Sequence, residues 1–235
     1  MIAARRYEGF VATFGAYVHW LLRRSFRGVW VSKGATFPSS GFVAVANHTS
    51  WWDGFVAFAV QRAIAPRHPF YVMMSEDGLR RFPFFRYGGA FAVDASSPRR
   101  ARDAILYAAD RAAAGTGLWI FPQGRLEAPG TSLVFTRGFA HVARRANVPV
   151  IPCAMRFALL DGQRPDAFLE VGPTVYDASR ATGELARGAV AAMLARLDCE
   201  ISSGRAFENR RSLVAPARGV DDVTGRIFAP FGKSL

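Results

Sequence analysis

Residues 42–62, with the sequence FVAVANHTSWWDGFVAFAVQR, decide the fold class of this chain. The five apolar residues 42–46 predict a buried strand, and residues 51–62 predict a helix. A strand that is apolar on both faces and leads directly into a helix is typical of a parallel sheet covered by helices. The polar turn at 47–50 then follows the carboxyl end of a strand, where binding and catalytic sites form in such sheets.

The rest of the chain repeats this alternation. Further strands are predicted at 70–74, 91–93, 118–121, 148–155 and 168–171, and helices at 98–112, 137–146 and 185–201. Ser97 followed by Pro98 predicts the start of a helix, and Gly115 its end. With 235 residues and no internal repeat, we predict an α/β fold: a single domain over 34–203 with a mainly parallel central sheet flanked by helices.

The first 33 residues predict an N-terminal membrane-associating helix. Their apolar run, 10–22, is shorter than the roughly 20 residues needed to cross a bilayer. It carries Tyr17 and Trp20 and is flanked by arginines, which suits a helix lying in the lipid headgroup region. An amphipathic helix packed on its own domain is the alternative. The start lacks a convincing cleavage site, so we expect a peripheral or monotopic protein on the cytoplasmic face of the membrane.

The charge of the chain points to an acidic partner. Lys and Arg total 30 against 18 Asp and Glu, which gives a net charge of +12, and only Lys33 and Lys233 are lysines. Guanidinium groups favour phosphate recognition, so a nucleic-acid-binding protein is one alternative, although no known binding motif is present. The tail at 204–235 is also predicted to be basic. Cys153 and Cys199 form neither a disulfide framework nor a zinc site, and no Gly-x-Ser-x-Gly elbow supports a serine hydrolase.

The segment Asn47-His48-Thr49-Ser50-Trp51-Trp52-Asp53 could hold a catalytic base. If His48 lies in the turn before the helix, Asp53 can reach one ring nitrogen and leave the other to accept a proton. The alternative is a capping-box-like helix start, in which Asp53 satisfies backbone amides and His48 is an ordinary turn residue.

A second segment, Phe121-Pro122-Gln123-Gly124-Arg125, follows a predicted strand. Its proline and glycine predict a tight turn whose backbone amides, with Arg125, could bind an anion. A plain turn is the alternative.

In this order and spacing, the segments resemble the glycerophospholipid acyltransferase family, which includes 1-acylglycerol-3-phosphate acyltransferase. The family motif Asn-His-x-x-x-x-Asp is matched in full, by Asn47, His48 and Asp53. The motif Phe-Pro-Glu-Gly-Thr-Arg is matched in part, by Phe121, Pro122 and Gly124, with Gln123 replacing the glutamate and Arg125 one position early.

Two further family features have counterparts. Arg137-Gly138 resembles the basic residue and glycine that follow the third motif, and the strand around Pro152 resembles the fourth motif. The second motif departs from the family, because Asp94 is followed by Ala95 rather than arginine, and Arg99 and Arg100 lie only a few residues further on. In the family, the residues at these altered positions bind the phosphate of the acceptor. The resemblance therefore allows a related lipid or glycolipid as the acceptor, as well as a lysophospholipid.

The resemblance implies acyl transfer from acyl-CoA or acyl-carrier protein to a lipid hydroxyl, with His48 as general base and Asp53 orienting it. It needs no cofactor and no metal, and its partners are a membrane lipid surface and the thioester donor rather than nucleic acid. The candidate headgroup or phosphate ligands are Gly124, Arg125, Arg137 and Arg99. A catalytically silent lipid-binding relative is the remaining alternative.

Overall fold

The computed structural model describes residues 1–177 and 182–215. Residues 216–235 of the predicted basic tail lie outside this part of the chain. The helices are α1 (Glu8–Ser25), α2 (Asp53–Ile64), α3 (Glu76–Arg81), a 3-10 helix (Pro83–Gly88), α4 (Pro98–Ala113), α5 (Gly138–Ala146) and α6 (Gly183–Ser202). The strands are β1 (Gly28–Ser32), β2 (Phe42–Ala46), β3 (Phe70–Ser75), β4 (Ala90–Val93), β5 (Gly117–Ile120), β6 (Val150–Ala158), β7 (Asp166–Val171) and β8 (Arg210–Val214).

The strands form one sheet in the order β4-β3-β5-β2-β6-β7-β1-β8. This confirms the α/β class with a single sheet flanked by helices, but the sheet is mixed. Among the described strands five pairings are parallel, whereas β6 with β7 and β1 with β8 are antiparallel. The parallel half, from β4 to β6, therefore brings several carboxyl strand ends to one edge, as the prediction of a site there requires.

The core has a layer on each side of the sheet because the side chains of β2 alternate. Phe42, Ala44 and Ala46 pack with α1 and α2, whereas Val43 and Val45 pack with α4 and α5. Helix α6 covers the second face further along, over β6 and β7. Both faces of the central strand are thus buried, which explains its continuous apolar run.

Two strands arise where the sequence predicted none. Strand β1 lies within 1–33, and β8 lies within 204–235. The sequence Arg210-Arg211-Ser212-Leu213-Val214 of β8 looks polar, but the Arg210 guanidinium is buried, 2.6 Å from Glu200 and 3.5 Å from Glu170. A buried arginine is tolerated only when carboxylates compensate it, and this tertiary pairing is invisible in local sequence.

Helix α1 packs on the domain, as in the alternative to a membrane-lying helix. Val11, Val18 and Leu22 on its inner side are buried, and the ring of Phe14 contacts Phe58 with centroids 5.4 Å apart. The residues before it are tied down too, since the backbone N–H of Arg5 and that of Tyr7 each donate to a carbonyl of the 3-10 helix, at 2.9 and 3.0 Å. Among the described residues, no helix combines the length and apolar character that a membrane crossing requires.

Candidate active site

The candidate site lies beyond the carboxyl ends of β2, β5, β3 and β4. Strand β2 leads into His48, β5 into Phe121, β3 into Glu76 and β4 into Asp94. Because these strands are parallel and adjacent, the residues that follow them meet at one edge of the sheet. The two segments that the sequence analysis selected, 47–53 and 121–125, are therefore neighbours.

His48 and Asp53 are in direct contact. The distance between His48 Nδ1 and Asp53 Oδ2 is 2.7 Å. Asp53 is fully buried at the first position of α2, where the helix dipole favours a carboxylate. Its Oδ2 also accepts hydrogen bonds from the backbone N–H of Thr49 at 2.8 Å and of Ser50 at 2.9 Å. The sequence analysis left open whether Asp53 binds backbone amides at the helix start or the His48 ring. In the structure the same carboxylate does both.

Asn47 fixes the end of β2 against the neighbouring strand. Its side-chain amide donates to the carbonyl of Met155 at 3.0 Å, and its side-chain oxygen accepts the Met155 N–H at 2.8 Å. Asn47 is fully buried, so this reciprocal pair replaces the ladder bonds that end with β2. Pro152, further back in β6, lies opposite Val45 of β2, where it forms part of the frame rather than the site.

The loop after β5 holds His48 from the other side. The ring of Phe121 is stacked on the imidazole, with centroids 4.5 Å apart and an interplanar angle of 22°. The backbone N–H of His48 donates to Gln123 Oε1 at 2.7 Å, and its carbonyl accepts the N–H of Glu127 at 2.9 Å. The position of the histidine is therefore set by contacts to its ring and to both of its backbone groups.

Gly124 and Arg125 form the tight turn that the sequence predicted. Gly124 has φ of +75°, and its N–H donates to the carbonyl of Phe121 at 3.0 Å. Arg125 is exposed and its Nε lies 2.5 Å from Glu127 Oε1, a contact that raises the pKa of the guanidinium. The loop closes where the Thr136 N–H donates to the carbonyl of Pro122 at 2.9 Å.

His48 lies on the wall of a cavity of about 1010 Å³. Much of its lining is aromatic and is contributed by α1, α2, β3 and the 3-10 helix, including Phe14, Phe55, Phe58, Phe70 and Phe85. Gly54, directly after Asp53, also faces this space, and a Cβ built on it would meet no atom within 4 Å. The cavity is suited to an extended apolar ligand whose reactive end reaches His48.

The polar lining of the cavity differs from the prediction at two positions. Arg100 lines the cavity, whereas the predicted Arg99 and Arg137 do not. The Arg100 guanidinium lies 3.1 Å from Asp94 and 3.7 Å from Glu76. The pKa of Asp94 is lowered, chiefly by hydrogen bonds from Ser96 and also by Arg100.

The start of α5 forms another part of the lining. Thr136 and Gly138 line the cavity, and Arg137 occupies the N-cap position beside them with its side chain exposed. Gly124 and Arg125 also face this space. Thr136, Arg100 and Glu76 line the cavity, but the sequence analysis did not select them as site residues. Glu76 could have been selected, because it directly follows a strand of a parallel sheet, where sites form. Within the part of the chain that the structure describes, no three His, Cys, Asp or Glu side chains are grouped to hold a metal ion.

Comparison with known proteins agrees with this architecture. A family model described as acyltransferase matches residues 28–156. A Caenorhabditis elegans protein that bears the name 1-acyl-sn-glycerol-3-phosphate acyltransferase, acl-2, is 30% identical over 115 residues, which are 47% of this chain and 39% of that relative. The chain thus matches well under half of the relative's length.

A solved structure has the same fold. The crystal structure of the 1-acyl-sn-glycerophosphate (LPA) acyltransferase PlsC from Thermotoga maritima is similar with a TM-score of 0.57 and 21% identity, covering 82% of this chain and 78% of that one. The family model spans more than half of the 235 residues and contains His48, Asp53 and the loop after β5. This chain therefore belongs to the acyltransferase family.

Proposed function

We propose that this protein transfers a fatty acyl group from a thioester donor, acyl-CoA or acyl-carrier protein, to a hydroxyl of a lysophospholipid or related lipid. The observation that carries the proposal is the 2.7 Å contact between His48 Nδ1 and Asp53 Oδ2 on the wall of a large aromatic cavity. The similar proteins, which bear the names of 1-acylglycerol-3-phosphate acyltransferases, support the same chemistry.

In the proposed reaction His48 acts as the general base. Its Nδ1 is engaged by Asp53, so Nε2 accepts the proton of the acceptor hydroxyl. The hydroxyl oxygen then bonds to the thioester carbonyl carbon, the carbon–sulfur bond breaks, and the departing thiolate takes the proton back from the imidazolium. Asp53 stabilises the imidazolium while it exists. General base catalysis of this kind contributes about 10²–10⁴-fold to the rate, and the step uses neither metal nor cofactor.

The acceptor head group is proposed to bind where the loop after β5 meets α5. Gly124, Arg125 and Gly138 line this part of the cavity, and the unpaired backbone N–H groups at the start of a helix favour anions. Arg137 lies next to it in the chain, and Arg99, in the first turn of α4, remains a candidate. A lysophosphatidic acid is the first acceptor to test, followed by lipids without a phosphate.

Membrane association is proposed through the outer side of α1. Tyr17 and Trp20 are about half exposed there, and the Arg24 guanidinium lies over the Trp20 ring at 5.9 Å. Aromatic rings next to arginines suit the headgroup region of an anionic membrane. We therefore propose that the protein lies peripherally on the cytoplasmic face of the membrane.

The test is an acyl-transfer assay with both donors and a panel of acceptors: lysophosphatidic acid, other lysophospholipids, monoacylglycerol and a hydroxyl glycolipid. His48→Ala should lower kcat by about 10²–10⁴-fold, because it removes the base. His141→Ala, on the exposed side of α5, is the matched control and should leave the rate unchanged. Retention of more than about a tenth of the wild-type rate in His48→Ala would contradict the proposal.

A further inference from the structure

We propose that Gln123 is a positioning residue, which holds the backbone of His48 and thereby keeps the imidazole in the place where it works as a base. The inference rests on the proposed role of His48. It starts from the one position of the third motif at which this chain carries an amide in place of the family's carboxylate.

The backbone of His48 needs partners that the sheet does not provide. Strand β2 ends at Ala46, so the N–H and the carbonyl of His48 lie beyond the ladder. The N–H donates to Gln123 Oε1 at 2.7 Å, and the carbonyl accepts the Glu127 N–H at 2.9 Å. An N–H can be accepted only by the oxygen of the side-chain amide, so this contact also fixes which way the Gln123 amide faces.

The contact acts on the geometry of the histidine. Thr49 and Ser50 are already held by Asp53 Oδ2, and the imidazole lies on Phe121. The Gln123 contact is the one that joins the backbone of His48 to the loop after β5 through a side chain. Without it the N–H is left unpaired, and the peptide can rotate to find another partner, which moves the ring relative to the thioester.

The uncharged amide leaves Asp53 as the carboxylate in contact with the imidazole. Around His48, α2 supplies Asp53, and the loop supplies Arg125 and Glu127, which pair with each other. From β6 and α6, the Arg156 and Asp198 side chains pair at 2.5 Å beside the smaller cavity behind this turn. A glutamate at position 123 would keep an acceptor oxygen for the His48 N–H, in a cavity that Arg156, Arg187 and Asp198 also line.

The experiment measures kcat and KM for Gln123→Leu, Gln123→Glu and the control Gln163→Leu, whose side chain is exposed. We expect Gln123→Leu to lower kcat by about 10–100-fold with KM changed less than about threefold, because the base is displaced rather than the substrate site. Gln123→Glu keeps an acceptor oxygen for the His48 N–H, so it should recover kcat to within about threefold of the wild type. Gln163→Leu should match the wild type.

A double mutant separates positioning from a general structural effect. In the His48→Ala background, Gln123→Leu should lower the remaining rate by less than about twofold, because its effect passes through the histidine. The inference is overturned if Gln123→Leu keeps the wild-type kcat, if it costs the same factor with and without His48, or if Gln123→Glu is as slow as Gln123→Leu. Failure of the proposed function has a different signature, a His48→Ala variant that keeps its activity.

Discussion

Replacing Asp53 with asparagine tests what the buried carboxylate does for His48. Three N–H donors converge on Oδ2: the imidazole Nδ1–H and the backbone N–H groups of Thr49 and Ser50. An asparagine can satisfy them only with its oxygen, so its NH2 must take the place of Oδ1. Oδ1 is buried and has no hydrogen-bond partner. The variant therefore keeps the proton on Nδ1 and removes the negative charge 2.7 Å away.

The size of the effect follows from that charge. The carboxylate stabilises the positive charge that the imidazole acquires as it takes the proton, through a charge-assisted hydrogen bond. Without that charge the imidazolium is less stabilised, so we expect kcat to fall by about 10–10³-fold. The buried NH2 without a partner should also lower the free energy of unfolding by about 1–3 kcal/mol, or about 2–4 °C in Tm for each kcal/mol.

The assay measures kcat for Asp53→Asn, with thermal unfolding measured on the same samples. Asp110→Asn, at an exposed carboxylate near the end of α4, is the matched control and should change neither quantity. A variant that keeps more than about a third of the wild-type kcat would refute the reasoning.

Three further predictions concern other parts of the molecule. The folded-state pKa of Asp94 lies below its usual value, so its contribution to stability is present above about pH 4 and is lost as the pH falls further; Asp94→Asn should flatten the acid side of a Tm-against-pH curve relative to wild type. Burial raises the pKa of the Cys153 thiol, whereas Cys199 is exposed; a thiol reagent should modify the native protein once, at Cys199, as peptide mass mapping would show, and modification at Cys153 would contradict this. Replacing Tyr17 and Trp20 with serine should weaken binding to anionic vesicles in a sedimentation assay without lowering Tm, and unchanged binding would argue against α1 as the contact.

The sequence predicted those helices and strands in which the hydrophobic pattern of the local sequence matches the burial of its residues in the structure. The continuous apolar run of β2 identifies a strand buried on both faces, and Ser97 with Pro98 marks the start of α4, where the structure shows Ser97 as the cap and the proline in the first turn. Strand β8 could not be found in this way, because its arginine is buried by carboxylates that come from other elements.

The same distinction applies to the candidate site. The placement of His48 in the turn before the helix follows from its spacing to Asp53, and the structure has His48 in that turn, although the helix begins at Asp53 rather than at residue 51. Spacing does not decide between Arg99 and Arg100. Adjacent helical residues point about 100° apart, and only the packing of α4 decides which of them faces inward. The Gln123 contact was also out of reach, since it joins two segments 75 positions apart.

Helix α1 has a practical consequence for anyone shortening this protein. Its Phe14 forms part of the cavity wall, against Phe58 of α2, while Tyr17 and Trp20 face outward. Deleting residues 1–25 would remove this part of the cavity wall and expose the phenylalanines that now pack against it to water, which favours aggregation. Trimming should therefore stop short of this helix, and greater solubility is better sought by exchanging its outward aromatic residues for polar ones.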